Sequence, residues 1–120
     1  MQDEPRPWVA YVGPFAYPDG GAAARRVRGM AESLVLGGFD VVVASYGLLL
    51  GEEKLLSRPQ WNVVILDEAQ AIKNAESQSS KAVRLLKSRN RLAISGTPIE
   101  NHIGELWSIL DWTTPGLLGP

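Results

Sequence analysis

Two adjacent carboxylates, Asp67 and Glu68, directly follow the apolar run Val63–Leu66. A buried strand would hold the first carboxylate rigidly at the edge of a sheet, where it could bind Mg²⁺ through water while the ion bridges nucleotide phosphates. The second side chain points another way and could act as a general base toward an attacking water. The alternative is a strand that simply ends in polar residues at a loop, and the pair alone does not decide between the two.

Hydroxyl groups follow the apolar run that begins at Leu92. Ser95 closes this run, and Gly96 and Thr97 come next. Their hydroxyls could hydrogen-bond the carboxylate at the end of a neighbouring strand. Thr97 precedes Pro98 and is also predicted to cap a helix, a role that holds whether or not it takes part in a site.

A second hydroxyl pair, Ser45 and Tyr46, closes the apolar run that begins at Val41. A serine and an aromatic residue in this position could contact the backbone of a nucleic acid. The alternative for Tyr46 is packing beneath the following helix, which is the commoner fate of a lone aromatic residue.

Four short apolar runs alternate with longer stretches of helical spacing. Low polar alternation is typical of strands buried on both faces, as in a parallel sheet covered by helices. We predict strands at Trp8–Val12, Val41–Ser45, Val63–Asp67 and Leu92–Ser95, and helices at Ala22–Leu36, Gly47–Leu56, Asn74–Lys87 and Thr97–Thr113. This order predicts an α/β fold with a parallel sheet, in which the residues after each strand meet at one edge.

Composition excludes several classes of site. The 120 residues include no Cys and one His, which excludes disulfides, thiolate metal sites and multi-histidine sites. The formal net charge of -1 gives no general attraction to nucleic acid, so any such contact must be local. We expect Arg25, Arg26 and Arg28 to form a solvated helix face. The sequence contains neither a Gly-Lys phosphate loop nor a G-x-G-x-x-G fingerprint, and no apolar run approaches the ~18 residues of a membrane span.

Five ordered strings are more specific together than any one alone. Residues 40–49 read DVVVASYGLL, residues 61–74 WNVVILDEAQAIKN, residues 91–101 RLAISGTPIEN, residues 105–111 ELWSILD and residues 115–119 PGLLG. From residue 40 onward the chain resembles the SWI/SNF-type DNA-dependent ATPases of helicase superfamily two, of the bacterial kind. The resemblance implies a partial RecA-like lobe of the P-loop NTPase type, with a parallel sheet of about four strands.

The resemblance implies roles for individual residues. Asp67 and Glu68 match the Walker B pair, which coordinates Mg²⁺ and activates the hydrolytic water, and Gln70 completes the DEAQ box beside the nucleotide. The stretch Ser95–Thr97, which includes Gly96, matches the motif that couples the nucleotide state to DNA contact. Ser45 and Tyr46 match a position near the DNA backbone. ATP and Mg²⁺ are the implied cofactors of the intact motor, and double-stranded DNA is its implied partner.

The same resemblance implies that residues 1–120 form a single partial domain. In this family a Walker A loop precedes the matched region, and a second lobe with an arginine finger follows it. An arginine finger alone accounts for roughly three to five powers of ten in rate. We therefore expect the chain by itself to be inactive and to bind neither ATP nor Mg²⁺ tightly. The intact motor is expected to be cytoplasmic, in a bacterium, and associated with the nucleoid.

Two other functions remain open from the sequence. The first is a non-catalytic fragment that only pairs with a complementary motor lobe, in which case a sheet edge and an apolar face should be uncovered. The second is a receiver-like signalling domain with Asp67 as phosphoacceptor. A receiver would need an acidic pair after the first strand, where the sequence reads Val12-Gly13-Pro14.

Overall fold

The computed structural model describes residues 7–14, 21–72, 74, 76–95 and 103–115, without the side chains of 22–24 and 103–107. Its strands are β1 (Trp8–Gly13), β2 (Asp40–Ser45), β3 (Gln60–Asp67) and β4 (Lys87–Ile94). Its helices are α1 (Gly21–Leu36), α2 (Tyr46–Gly51), α3 (Glu53–Leu56), α4 (Gln78–Arg84) and α5 (Ile103–Thr113), with a 3₁₀ turn at Ala69–Ile72.

The four strands form one parallel sheet in the order β2-β1-β3-β4. This confirms the predicted α/β class and the parallel sheet. The register pairs Gly13 with Ser45 and Asp67 with Ile94, while Val12 pairs with Leu66. The carboxyl ends of all four strands therefore lie along one edge of the sheet, as parallel pairing requires.

Alternate residues of the central strands enter two separate cores, because successive side chains of a strand point to opposite faces. Val9 and Tyr11 pack with Val27 of α1 on one face. Ala10 and Val12 face a larger core on the other side, built from α2, the 3₁₀ turn, α4 and α5. Burial on both faces, predicted for every strand, holds for β1 and the second half of β3. It fails for β2 and β4, which lie at the edges of the sheet and are largely half-exposed or exposed.

The boundaries around the predicted helix Asn74–Lys87 differ most from those in the structure. The predicted helix from Asn74 is α4, which starts at Gln78, because the Ser77 side chain accepts the cap bond from the Ser80 N–H at 3.1 Å. Asn74 instead accepts from the Glu76 N–H at 2.9 Å and closes a turn. The helix ends early because β4 begins at Lys87, five residues before the predicted strand.

The predicted helix Gly47–Leu56 is two short helices, α2 and α3, divided at Glu52. The predicted cap at Thr97 lies outside the described residues. None of the helices in the described ranges is long and apolar enough to cross a membrane.

Candidate acidic site at the carboxyl edge of the sheet

The side chain of Asp67 lies at the end of β3, and Asp67 is 3% exposed. Its Oδ2 accepts hydrogen bonds from the Tyr11 hydroxyl at 2.9 Å and from Arg26 Nη2 at 2.8 Å. Its Oδ1 accepts from the Glu68 N–H at 2.9 Å. Because a buried carboxylate is costly unless it is paired and hydrogen-bonded, these three donors explain how the charge is tolerated there.

Two buried tyrosines hold Asp67 from opposite faces of the sheet. Tyr11 donates to its side chain, and Tyr46 donates to its backbone carbonyl at 3.1 Å. Burial, and then the hydrogen bond to Asp67, raise the pKa of Tyr11 far above its usual value, although the Arg26 charge opposes this. Burial, and then the charges of Asp67 and Glu68, raise the pKa of Tyr46 likewise. Both hydroxyls therefore stay protonated and remain hydrogen-bond donors at neutral pH.

The backbone turns sharply at Glu68. Its φ of 53° is in the left-handed region, which is uncommon for a residue other than glycine. The turn is held by the Asp67 Oδ1 contact before it and by the Ala71 N–H, which donates to the Glu68 carbonyl at 3.0 Å. Strained backbone of this kind clusters at functional sites. At this turn the Glu68 carboxylate accepts a hydrogen bond from Gln70 Nε2.

Gln70 connects the ends of β3 and β4. Its Nε2 donates to Glu68 Oε2, and its Oε1 accepts from the Ser95 hydroxyl at 2.8 Å. A continuous hydrogen-bonded path therefore leads from Ser95 through Gln70 to the Glu68 carboxylate. The structure brings these three predicted residues together, while Gly96 and Thr97 lie outside the described residues.

Ser45 and Tyr46 are placed differently from each other. Ser45 is half-buried, and its hydroxyl accepts from the Leu48 N–H at 2.9 Å as the N-cap of α2. Tyr46 is 7% exposed and belongs to the larger core, so its ring packs beneath the helix. Its hydroxyl is directed to the acidic pair.

The residues at Asp67 do not fit a divalent cation in the arrangement described. Both lone pairs of Oδ2 are engaged by Tyr11 and Arg26, and Oδ1 accepts a backbone N–H. No group of three or more acidic, His or Cys side chains that could hold a metal occurs in the described part of the chain. Arg26 supplies the positive charge at this carboxylate.

Sequence reasoning missed Tyr11 and Arg26. Arg26 is exposed as expected, at 53% for its side chain, but its guanidinium also pairs with Asp67, which the sequence did not indicate. Tyr11 and Arg26 lie 56 and 41 residues from Asp67, so no local pattern connects them. A polar hydroxyl within the apolar run of β1 is the one signal in the sequence that could have indicated a buried partner for Tyr11.

The parallel sheet is of the open α/β class, in which ligands bind beyond the carboxyl ends of the strands, and the acidic pair lies at that edge. The model of the SNF2-related domain matches residues 8–120, and the chain belongs to that family. YwqA of Bacillus subtilis, described as a candidate ATP-dependent helicase/translocase, is 51% identical over 80 residues, covering 67% of this chain and 9% of YwqA. The chromatin-remodeling ATPase ISW2 of Saccharomyces cerevisiae is 42% identical over 81 residues, covering 68% of this chain and 7% of ISW2.

Among solved structures, the chain resembles the SWI2/SNF2 ATPase core of Sulfolobus solfataricus in complex with double-stranded DNA. The TM-score is 0.72 and the identity 29%, over 96% of this chain and 26% of that one. This agreement confirms the expected RecA-like architecture and the predicted family. The chain spans less than a tenth of the length of both curated relatives described above.

Proposed function

We propose that this chain is part of the ATP-hydrolysing lobe of a DNA-dependent translocase motor, in which Glu68 is the general base toward the attacking water. The observation that carries the proposal is the hydrogen-bonded path Ser95–Gln70–Glu68 at the carboxyl edge of the sheet. The Gln70 amide contacts Ser95 through its oxygen and Glu68 through its nitrogen. A change at Ser95 would therefore alter the support of the Glu68 carboxylate. A hydrogen-bonded path of this kind could connect DNA contact near Ser95 to hydrolysis at Glu68.

Asp67 is the proposed Mg²⁺ ligand, acting through water, once a cation can reach it. Asp67, Glu68 and Gln70 are the proposed residues beside ATP. When bound, the metal would supply charge neutralisation at the phosphates. The chain's own residues orient the two carboxylates: Tyr11 and Tyr46 hold Asp67, and Gln70 holds Glu68.

Double-stranded DNA is the proposed track, supported by the Sulfolobus ATPase core that was solved with it. Ser45 is the proposed backbone contact on this chain, together with the Gly96–Thr97 segment as the element that couples DNA contact to nucleotide state. Tyr46 is buried, so its proposed part is indirect: it joins the Ser45 end of β2 to the backbone of Asp67. The proposed setting is the bacterial cytoplasm, at the nucleoid.

A chimeric motor tests the role of Glu68. Residues 8–120 replace the matching segment of the Sulfolobus ATPase core, and DNA-stimulated ATP hydrolysis is measured with and without Glu68→Gln. Loss of a general base should lower turnover by a factor of about 10² to 10⁴ while ATP still binds. Glu32→Gln, on an exposed position of α1, is the matched control and should leave the rate unchanged. Normal turnover by the Glu68→Gln chimera would remove Glu68 from this role.

The isolated 120-residue chain provides a second test. It contains neither a Gly-Lys phosphate loop nor an arginine finger from a second lobe, so we expect no measurable DNA-stimulated ATPase activity. Robust ATP turnover by the purified chain, which disappears with Glu68→Gln, would contradict this expectation.

A second candidate function, association with a complementary motor lobe, is favoured by the two sheet edges. An apolar groove of about 630 Å³ lies beside Val41 and Val43 of β2, and a second of about 530 Å³ lies on the other face, beside Val42 and Leu55. Leu92 of the opposite edge strand is half-exposed. Open edges flanked by apolar surface are typical templates for further pairing.

Size-exclusion chromatography tests association with a complementary motor lobe. The chain is mixed with the part of the Sulfolobus core that lies outside the matching segment. A stable complex supports association, whereas a chain that remains monomeric in the presence of this part of the core argues against it.

The receiver-like alternative is not supported. β1 ends at Gly13 and is followed by Pro14, where a receiver would need an acidic pair.

A further inference from the structure

Arg26 occupies the side of Asp67 that a bound cation would need. Its Nη2 lies 2.8 Å from Oδ2, and the Tyr11 hydroxyl lies 2.9 Å from the same oxygen. An ionised carboxylate oxygen has two lone pairs, so both positions on Oδ2 are engaged. A divalent cation and a guanidinium cannot share that oxygen, since they are like charges that would lie within a few ångströms of each other.

The ion pair is strongly asymmetric in exposure. The side chain of Arg26 is 53% exposed, whereas that of Asp67 is 4% exposed. An arginine that is already half in water recovers the rest of its hydration when it leaves, whereas a buried carboxylate that loses its positive partner is left uncompensated at a high cost. The asymmetry makes Arg26 the exchangeable member of the pair and Asp67 the fixed one.

Arg26 and Arg28 both lie on α1, but they make different contacts. Arg28, two residues further on, is exposed and lines the groove beside β2 instead of the acidic site. The two arginines carry the same charge on the same helix, yet only Arg26, of the two, is paired with Asp67. Arg28 is therefore a matched control for the charge of Arg26.

We propose that Arg26 is an internal counter-ion that occupies Oδ2 of Asp67 and must leave before a divalent cation can bind there. The proposal rests on the proposed function, because that function makes Asp67 the cation-binding carboxylate. It adds a regulatory step to the site: Asp67 is closed to a cation while the Arg26 side chain occupies Oδ2. Tyr11 donates to the same carboxylate oxygen from β1 and does not depend on Arg26 for this contact.

Binding of Mn²⁺ alone to the full 120-residue chain tests the proposal. Free Mn²⁺ is followed by electron paramagnetic resonance for the native chain, Arg26→Gln, Arg28→Gln and the double variant Arg26→Gln with Asp67→Asn. We expect Arg26→Gln to bind Mn²⁺ at least about tenfold more tightly than the native chain, a change of about 1.4 kcal/mol. Arg28→Gln should bind like the native chain, and the double variant should lose the gain.

A second measurement keeps the proposal testable if Arg26→Gln does not fold. In the native chain, the guanidinium NMR signals of Arg26 should move to values typical of an unpaired arginine as Mg²⁺ is added to saturation. The signals of Arg28 should stay unchanged. An Arg26 signal that does not respond to Mg²⁺ when the cation binds would overturn the proposal.

The outcomes separate this inference from the proposed function. Equal Mn²⁺ affinity in the native chain and in Arg26→Gln overturns the counter-ion role and leaves the hydrolytic role of Glu68 untouched. No Mn²⁺ binding to either folded protein overturns both the counter-ion role and the cation-binding role of Asp67. A gain that persists in the double variant also overturns the proposal, because the cation would then bind elsewhere.

Discussion

The carboxyl ends of β3 and β4 lie next to each other in the sheet, but they are fixed in different ways. At the end of β3, Asp67 is buried and receives donors from β1, α1 and α2 as well as from its own turn. At the end of β4, Ser95 is exposed, and its hydroxyl reaches the acidic pair through the amide of Gln70.

The difference separates a fixed part of the site from an adjustable part. Asp67 is held by groups whose loss would leave a buried charge or a buried donor unpaired, which is costly. The bond from Ser95 is exposed, so water can replace it at little cost. The proposed response to DNA needs one rigid carboxylate and one carboxylate whose support can be altered from a neighbouring strand.

The largest expected effect is that of Asp67→Ala on stability. Removing the carboxylate deprives the buried Tyr11 hydroxyl of its oxygen acceptor, leaving Met30 Sδ at 3.2 Å as a weaker one, and it removes the partner of Arg26 at this end of β3. We expect the free energy of unfolding to fall by about 3 kcal/mol, measured by urea denaturation. Glu76→Ala, at an exposed position, is the control and should change the value by less than about 0.5 kcal/mol. Equal effects of the two substitutions would contradict the fixed state of the β3 end.

The second effect separates the two tyrosines. Tyr11→Phe removes a hydrogen bond to the charged side chain and should cost about 2 kcal/mol, whereas Tyr46→Phe removes a bond to a backbone carbonyl and should cost about 1 kcal/mol. Urea denaturation at pH 7 measures both. A larger cost for Tyr46→Phe than for Tyr11→Phe would mean that the backbone of Asp67, more than its side chain, depends on these contacts.

The stability of the protein at alkaline pH tests the burial of the Tyr46 hydroxyl at the carboxyl end of β3. The folded pKa of Tyr46 is raised above its ordinary value, so the contribution of this group to stability is complete below pH 10. Above pH 10 the unfolded chain loses the proton first, and stability falls by at most about 1.4 kcal/mol per pH unit for this group until its folded pKa is reached. Urea midpoints between pH 9 and pH 11 should therefore fall less steeply for Tyr46→Phe than for the native chain. Parallel slopes would contradict the burial of this hydroxyl.

The smallest expected effect is that of Ser95→Ala. Because its hydroxyl is exposed, the loss of the bond to Gln70 should lower the free energy of unfolding by about 0.5 kcal/mol. Thermal and urea denaturation measure the change, with Ser57→Ala, another exposed-site hydroxyl bond, as the comparison. A cost near that of Tyr11→Phe would show that the β4 end is as firmly held as the β3 end.

Much of the architecture could be predicted from local signals. The apolar runs indicated the four strands, and their alternation with helical spacing indicated the parallel sheet, since only long crossovers can join parallel strands. The position of Asp67 at a strand end also followed from the sequence. The helix cap at Ser77 was predicted at Asn74 instead, because both residue types cap helices and only the packing of α4 selects between them.

The sequence by itself determined the fold class and the placement of the acidic pair at the edge of the sheet, because these depend on spacing along the chain, and the resemblance of its ordered motifs indicated the family. Only the tertiary structure decided which strands are central, that Tyr46 is buried, and that Arg26 pairs with Asp67. Contacts between residues more than forty positions apart leave no periodic trace in the sequence, and the cost of a buried charge becomes specific to a partner only when the folded chain brings that partner within hydrogen-bonding distance.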